Sequence, residues 1–493
     1  MFLHGSVAER RAAVHLRAAR APEERMTVSE IEAREIVAAL RAGAVPERGL
    51  HHIATGLDKL MDAVDAELDF VSSGAGRGLS KWIRGEYGSG KTFATRLLCA
   101  RARARRFATS EVQISINDTP LQHLETVYRR LMERLTTAAE GSPAFPSIVD
   151  AWLFDVGEQV TALRGLSDDD PAFITAVEER LEDKLAALRA YNPAFTQVLR
   201  AYHRAMSAND FGTAQQLLAW LSGQPNVDRT VTSRAGVKGN VDGQAALAFL
   251  RGVLMLLRQS GYAGLVVVLD EVETVQRMSA PAREKSLNAL RQLVDMLANN
   301  DLPGLYLVVT GTPEFFDGYK GLKSLPPLYQ RIAPRFEEDP RHDNLRALQV
   351  RLLPFDTQRL LLVGQRVRGL FPAQEGARVQ TVADDAFLEA MVREVTSGFG
   401  GQVAVCPRIF LKEVVDVLDK VDQHSDYDPR GRYKLEVNEA ELRPEELAAR
   451  RGIAPSAQLD LEEQTTEAKP AEEKPSETKP ARTRKRSTRR LDG

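Results

Sequence analysis

Eight residues constrain this chain more than any others: Gly85-Glu86-Tyr87-Gly88-Ser89-Gly90-Lys91-Thr92. They fit G-x-x-x-x-G-K-[ST] in full, behind the short apolar run "LSKWI" and ahead of the helical pattern "KTFATRLLCARARARRF". Glycines at these positions let a nest of backbone N–H groups approach phosphate oxygens, which side chains would obstruct. The helix N-terminus that follows adds partial positive charge. A lysine at the end of such a loop reaches β and γ phosphates, and a threonine hydroxyl binds Mg²⁺. A strand–loop–helix of this kind belongs to an α/β fold with a parallel sheet.

A second element is needed, and "GLVVVLDEVETV" supplies it. Leu265 to Leu269 read as a strand buried on both faces, ending in Asp270 and Glu271. Carboxylates at the C-terminal end of a parallel strand face the ligand crevice. Asp270 is expected to hold Mg²⁺ together with Thr92. Glu271 is expected to orient and deprotonate the attacking water. The cofactors that follow are ATP and Mg²⁺. An ordinary crossover takes roughly 30 residues, far fewer than lie between Lys91 and Asp270. The strand "SEVQISIN" and a long run of helical patterns fill the gap.

The rest of the chain reads as units around these two motifs. Residues 1–48 form an N-terminal helical segment, and 49–120 a first core part carrying the phosphate loop. A helical insertion follows at 121–259, a second core part at 260–345, a C-terminal lid at 346–451 and a disordered basic tail at 452–493. In the first segment Ser29 is the expected N-cap and Gly43 the stop of a helix with Ile31, Ile36, Val37 and Leu40 on one stripe. "RYKLEV" near the end is a candidate last strand. The tail repeats Glu-Lys-Pro with few apolar residues and cannot offset its ordering entropy. Its basic cluster between 482 and 490 suits either a solubilising extension or nonspecific nucleic-acid contact.

Composition narrows the class further. At 493 residues the chain exceeds one ordinary core. A formal net charge of −2 argues against whole-molecule attraction to nucleic acid while leaving local basic patches open. Two distant cysteines, Cys99 and Cys406, suggest neither a zinc spacing nor a disulfide framework. No apolar run approaches membrane-spanning length, so a cytoplasmic protein without membrane contact is expected.

Further residues take their roles from likeness to AAA+ ATPases. A polar residue ending the strand beside the acidic one corresponds to sensor 1. Thr312 is preferred and Thr310 is second, the plain alternative being that both threonines finish a strand or cap a turn. "PPLYQRIAPRF" carries Arg331 and Arg335, candidate arginine fingers that enter a neighbour's nucleotide site. "CPRIFLKEVVDVLD" places Arg408 at a lid-helix start, resembling sensor 2. "HHIATGLDKLMDAVDAEL" resembles the segment lining the adenine pocket in origin-recognition-type AAA+ proteins.

"IVAALRAGAVPERGL", "RGEYGSGKTF", "DTPLQHLETVYRRLMERL", "GYAGLVVVLDEVET" and "YLVVTGTPEFF" together resemble the BrxD-like ATP-binding proteins of BREX anti-phage systems, over roughly residues 30–445. The resemblance implies an AAA+-type P-loop ATPase with a large helical insertion and a C-terminal helical lid. It also implies action on duplex DNA or a DNA-remodelling partner, helicase-like or other defence-island proteins as partners, and a homo-oligomer. The alternative is a nucleotide-gated scaffold or helicase loader with little turnover of its own.

Overall fold

The computed structural model describes residues 28–452, apart from 74–75, 168–169, 190 and 404–405. The first part of the N-terminal segment and nearly all of the basic tail lie outside the described residues.

Helices α1 (Glu30–Arg41), α2 (Leu50–Ile53) and α3 (Asp58–Ser72) precede β1 (Leu79–Arg84). Helix α4 (Lys91–Ala104) leads to β2 (Phe107–Gln113). The insertion comprises α5 (Leu124–Glu133), α6 (Phe145–Arg164), α7 (Phe173–Arg189), α8 (Pro193–Ser207), α9 (Phe211–Leu221), α10 (Arg229–Arg234) and α11 (Gly243–Gln259). The chain returns to the sheet as β3 (Gly264–Asp270), α12 (Ala280–Ala298) and β4 (Leu305–Gly311). After α13 (Pro313–Asp317) and α14 (Pro326–Ile332) comes β5 (Gln349–Arg351). The lid is α15 (Thr357–Leu370), α16 (Gly376–Val382), α17 (Asp385–Gly398), α18 (Pro407–Gln423) and α19 (Pro444–Arg450).

The five strands form one sheet in the order β2-β3-β4-β1-β5, and every pairing is parallel. Strand β4 is buried along its whole length, and β3 up to its terminal Asp270. Such runs are what a sheet covered on both faces requires. One face packs under the insertion helices and α12, and the other under α3 and α4. Parallel strands put their C-terminal ends on one edge. The loop after β1, the acids ending β3 and the threonines ending β4 therefore share that edge.

Helix α1 joins the lid rather than the sheet. Ala33, Ile36, Val37 and Leu40 share a core with α15, α17 and α18, and Arg41 donates two hydrogen bonds of 2.8 Å to Asp419. Ser29 accepts from the Glu32 amide as N-cap, and Gly43 adopts φ +66° past the helix end. Ile31 departs from the expected stripe and is 73% exposed. Five positions before Ile36, it lies some 140° around the helix from that residue.

"RYKLEV" is not a strand. Tyr433, Leu435 and Val437 do pack on the lid helices, and the Tyr433 hydroxyl donates to Glu413 at 3.0 Å. Alternating burial is thus satisfied against helices, with no ladder partner for the backbone among the described residues. No helix among the described residues is long and apolar enough to cross a membrane.

Candidate nucleotide site

The loop between β1 and α4 takes its shape from its glycines. Gly88 and Gly90 have φ of +76° and +87°, a region that residues with a Cβ rarely adopt. At Gly85 a Cβ would meet Ser89 Oγ at 2.4 Å, so a side chain there would push the Ser89 hydroxyl aside. Gly90 begins α4 without a side-chain cap, which leaves first-turn N–H groups available to an anion. Lys91 is buried, and its Nζ donates to the carbonyls of Gly85 (2.8 Å) and Glu86 (3.3 Å). The same ammonium stands 5.2 Å from the centre of the Tyr87 ring. Ser89 Oγ is buried and has no hydrogen-bond partner among the described residues.

Two motifs 178 positions apart meet here. Thr92 Oγ1 donates to Asp270 Oδ2 at 3.0 Å. The other carboxylate oxygen, Oδ1, accepts from the Glu271 amide at 3.0 Å and from the Thr310 hydroxyl. Glu271 leaves the strand in a left-handed conformation, φ 57° and ψ 40°, which turns its side chain out of the β3 alternation. Gln113, the last residue of β2, donates its amide to Glu271 Oε2 at 2.8 Å. The register explains this contact, since Gln113 pairs with Asp270 across the β2–β3 ladder.

A third acid stands behind these two. Glu273 is 6% exposed, and its Oε2 has no hydrogen-bond partner among the described residues. Burial pushes its carboxyl up to about 7, with Lys91 opposing the shift and the Asp270 and Glu271 charges reinforcing it.

The remaining expected residues are placed differently. Thr312 caps α13 by accepting from the Phe315 amide, so its hydroxyl is engaged away from the acids. Thr310 is the threonine whose hydroxyl reaches Asp270. Arg331 forms an ion pair with Asp295 of α12 in its own chain. Arg335 is exposed in the segment after α14. Arg408 pairs with Glu446 and donates to the Glu441 carbonyl, inside the lid. Among the described residues no hydrogen bond or ion pair joins it to the 85–92 loop. Helix α2, the start of the segment compared with an adenine pocket, packs between α4 and α15. Sequence reasoning missed Gln113 and Glu273. Gln113 had no local signal, whereas Glu273 stood visible two residues beyond Glu271.

A glycine-built loop after the first strand, a carboxylate pair ending the third and a parallel sheet in this order define a P-loop fold of the AAA+ type. The family model for the BREX system ATP-binding protein BrxC/D matches residues 28–437, and the chain belongs to that family. No curated protein matches it. Among solved structures, the ORC2 protein of Aeropyrum pernix in ADPNP–ADP complexes is similar at 12% identity, with 83% of this chain and 71% of that chain covered and a TM-score of 0.38.

Proposed function

We propose that this protein binds ATP with Mg²⁺ at the 85–92 loop and hydrolyses it. The observation that carries the reading is the Thr92–Asp270 hydrogen bond of 3.0 Å. It joins the phosphate loop to the acidic end of β3, which hydrolysis needs in one place. The donor set there consists of hydroxyl and carboxylate oxygens, hard ligands that suit Mg²⁺. Thr92 and Asp270 would hold the ion, and when bound it supplies charge neutralisation at the β and γ phosphates.

The chain's own groups do the rest. Backbone N–H groups of 85–90 and the start of α4 bind the phosphates, and Lys91 turns from its carbonyl partners to the γ-phosphate. Glu271 takes a proton from water as the water attacks. Gln113 holds that carboxylate, and Thr310 fixes the Asp270 carboxylate in orientation. Membership of a BREX ATP-binding family supports coupling of turnover to duplex DNA or a DNA-remodelling partner within an oligomer. Arg331 or Arg335 would then act on a neighbour's nucleotide, and Arg331 would have to leave Asp295 to do so.

ATP hydrolysis measured against protein concentration, with and without duplex DNA, tests the reading. Specific activity rising with concentration and stimulated by DNA is expected. Tight ATP binding with no phosphate release under any of these conditions would establish the nucleotide-gated scaffold instead.

A further inference from the structure

Glu32, His51 and His52 lie outside the nucleotide site, on α1 and α2. One carboxylate oxygen and one ring nitrogen from each histidine fall within 4.8 Å of one another. Glu32 Oε2 stands 3.6 Å from His52 Nε2, and the two imidazole rings are 3.9 Å apart between centroids, tilted by 39°. A separation of 3.6 Å is too long for a hydrogen bond. It suits a shared ion, because two ligand arms of 2.0–2.2 Å at a tetrahedral angle span about 3.4 Å.

The backbone builds this convergence. Gly49 precedes α2 with φ +68°, and a Cβ there would come 2.9 Å from Glu32 Cγ and 3.0 Å from its Oε1. Glycine is thus required for both its conformation and its bareness. Glu32 lies directly against the turn that carries the histidines. The nearby cation, Arg101, is engaged by Asp65 at 2.8 Å, which moderates its repulsion of a metal ion.

We propose that Glu32, His51 and His52 bind one borderline divalent cation, Zn²⁺ foremost. Two imidazoles and one carboxylate make a three-ligand set, and the exposed side at His51 leaves a position for water. Helix α2 straddles two cores. Leu50 and Ala54 pack beneath the sheet with α4, whereas Ile53 packs with α1 and the lid helices. An ion joining α1 to α2 therefore clamps the lid to the nucleotide-binding body.

The test uses the full-length chain, stripped of metal and free of nucleotide. Zn²⁺ is titrated in competition with a chromophoric chelator, and Co²⁺ is used as a spectroscopic substitute. The expected result is one tight equivalent, weakened at least tenfold in His52→Ala and in Glu32→Gln. The thermal midpoint should rise with Zn²⁺ in the wild type and not in either variant. Binding of unchanged strength in both variants, or none tighter than millimolar in the wild type, overturns the proposal. Circular dichroism checks that the variants fold. If they do not, the wild-type Co²⁺ spectrum decides. Intense visible bands of a four- or five-coordinate ion support the site, and the weak bands of an octahedral oxygen-bound ion refute it.

Discussion

Gln113 at the end of β2 donates its side-chain amide to Glu271 at the end of β3, across 2.8 Å. The carboxylate that would activate water is thereby held against a neighbouring strand. A hydrogen bond to a carboxylate stabilises its charge and restrains its position. Gln113→Ala is expected to free Glu271 and raise basal turnover about threefold, consistent with the loss of somewhat under 1 kcal/mol of restraint. ATP affinity should stay the same. Steady-state phosphate release is the measurement, and an unchanged or lower rate would count against a restraining role.

Glu271→Gln keeps the shape of the side chain and removes the base. ATP should remain bound while turnover falls by about 10²–10⁴-fold. Lys91→Ala should instead abolish ATP binding in calorimetry, because no other cation among the described residues is held within the loop. A Glu271→Gln protein that turns over at the wild-type rate would transfer the base role elsewhere.

The two threonines at the end of β4 separate by function. Thr310→Val removes a hydroxyl that orients Asp270 and should lower turnover at least tenfold, an effect of about 1.4 kcal/mol on the barrier. Thr312→Val removes a helix cap and should cost about 1 kcal/mol of stability with little change in turnover. Denaturant midpoints and initial rates on both variants decide between them, and the reverse pattern would return the sensor role to Thr312.

Lys81 on β1 is 1% exposed, and its Nζ donates to Glu67 at 2.6 Å and to the carbonyls of Leu345 and Ala347. Glu67 also accepts from the Tyr306 hydroxyl at 2.6 Å. Glu67→Ala leaves a buried ammonium without its counter-ion and should cost about 3–5 kcal/mol. Urea unfolding measures it, and a loss below about 1 kcal/mol would show that the carbonyls alone satisfy Lys81.

Glu273 makes stability depend on pH. Its carboxyl loses a proton near 4.5 in the unfolded chain and near 7 in the folded one. Between those values the folded state binds the extra proton, so stability falls as pH rises through that window. Compared with Glu273→Gln, which does not titrate, the wild type should lose roughly 2–3 kcal/mol between pH 5 and pH 8. Urea midpoints of the two proteins that stay parallel across this range would rule out the shifted carboxyl.

Some features of this protein were decided within a few consecutive residues, and these were legible in the sequence. Gly88 and Gly90 occupy backbone regions that other residues avoid, so the loop declares itself by residue type. The apolar run of β3 announces a strand covered on both faces, and with it a parallel sheet. The end of α1 is similarly local, marked by Ser29 and Gly43.

Only the tertiary structure decided which side chains face each other across strands. Gln113 meets Glu271 because β2 and β3 pair in one register, and a slip of one residue would turn it away. Thr310 and Thr312 share a strand period, and the sequence alone could not separate them. The strand ends at Gly311, which turns Thr312 into a helix cap and leaves Thr310 facing Asp270. Arg331 and Arg408 found partners in Asp295 and Glu446, and a flexible cation carries no local mark of its partner. Helix α1 joins the lid through Arg41 and Asp419, 378 positions apart. Contacts between residues this far apart are set by how the elements pack, and local residue type carries no record of that.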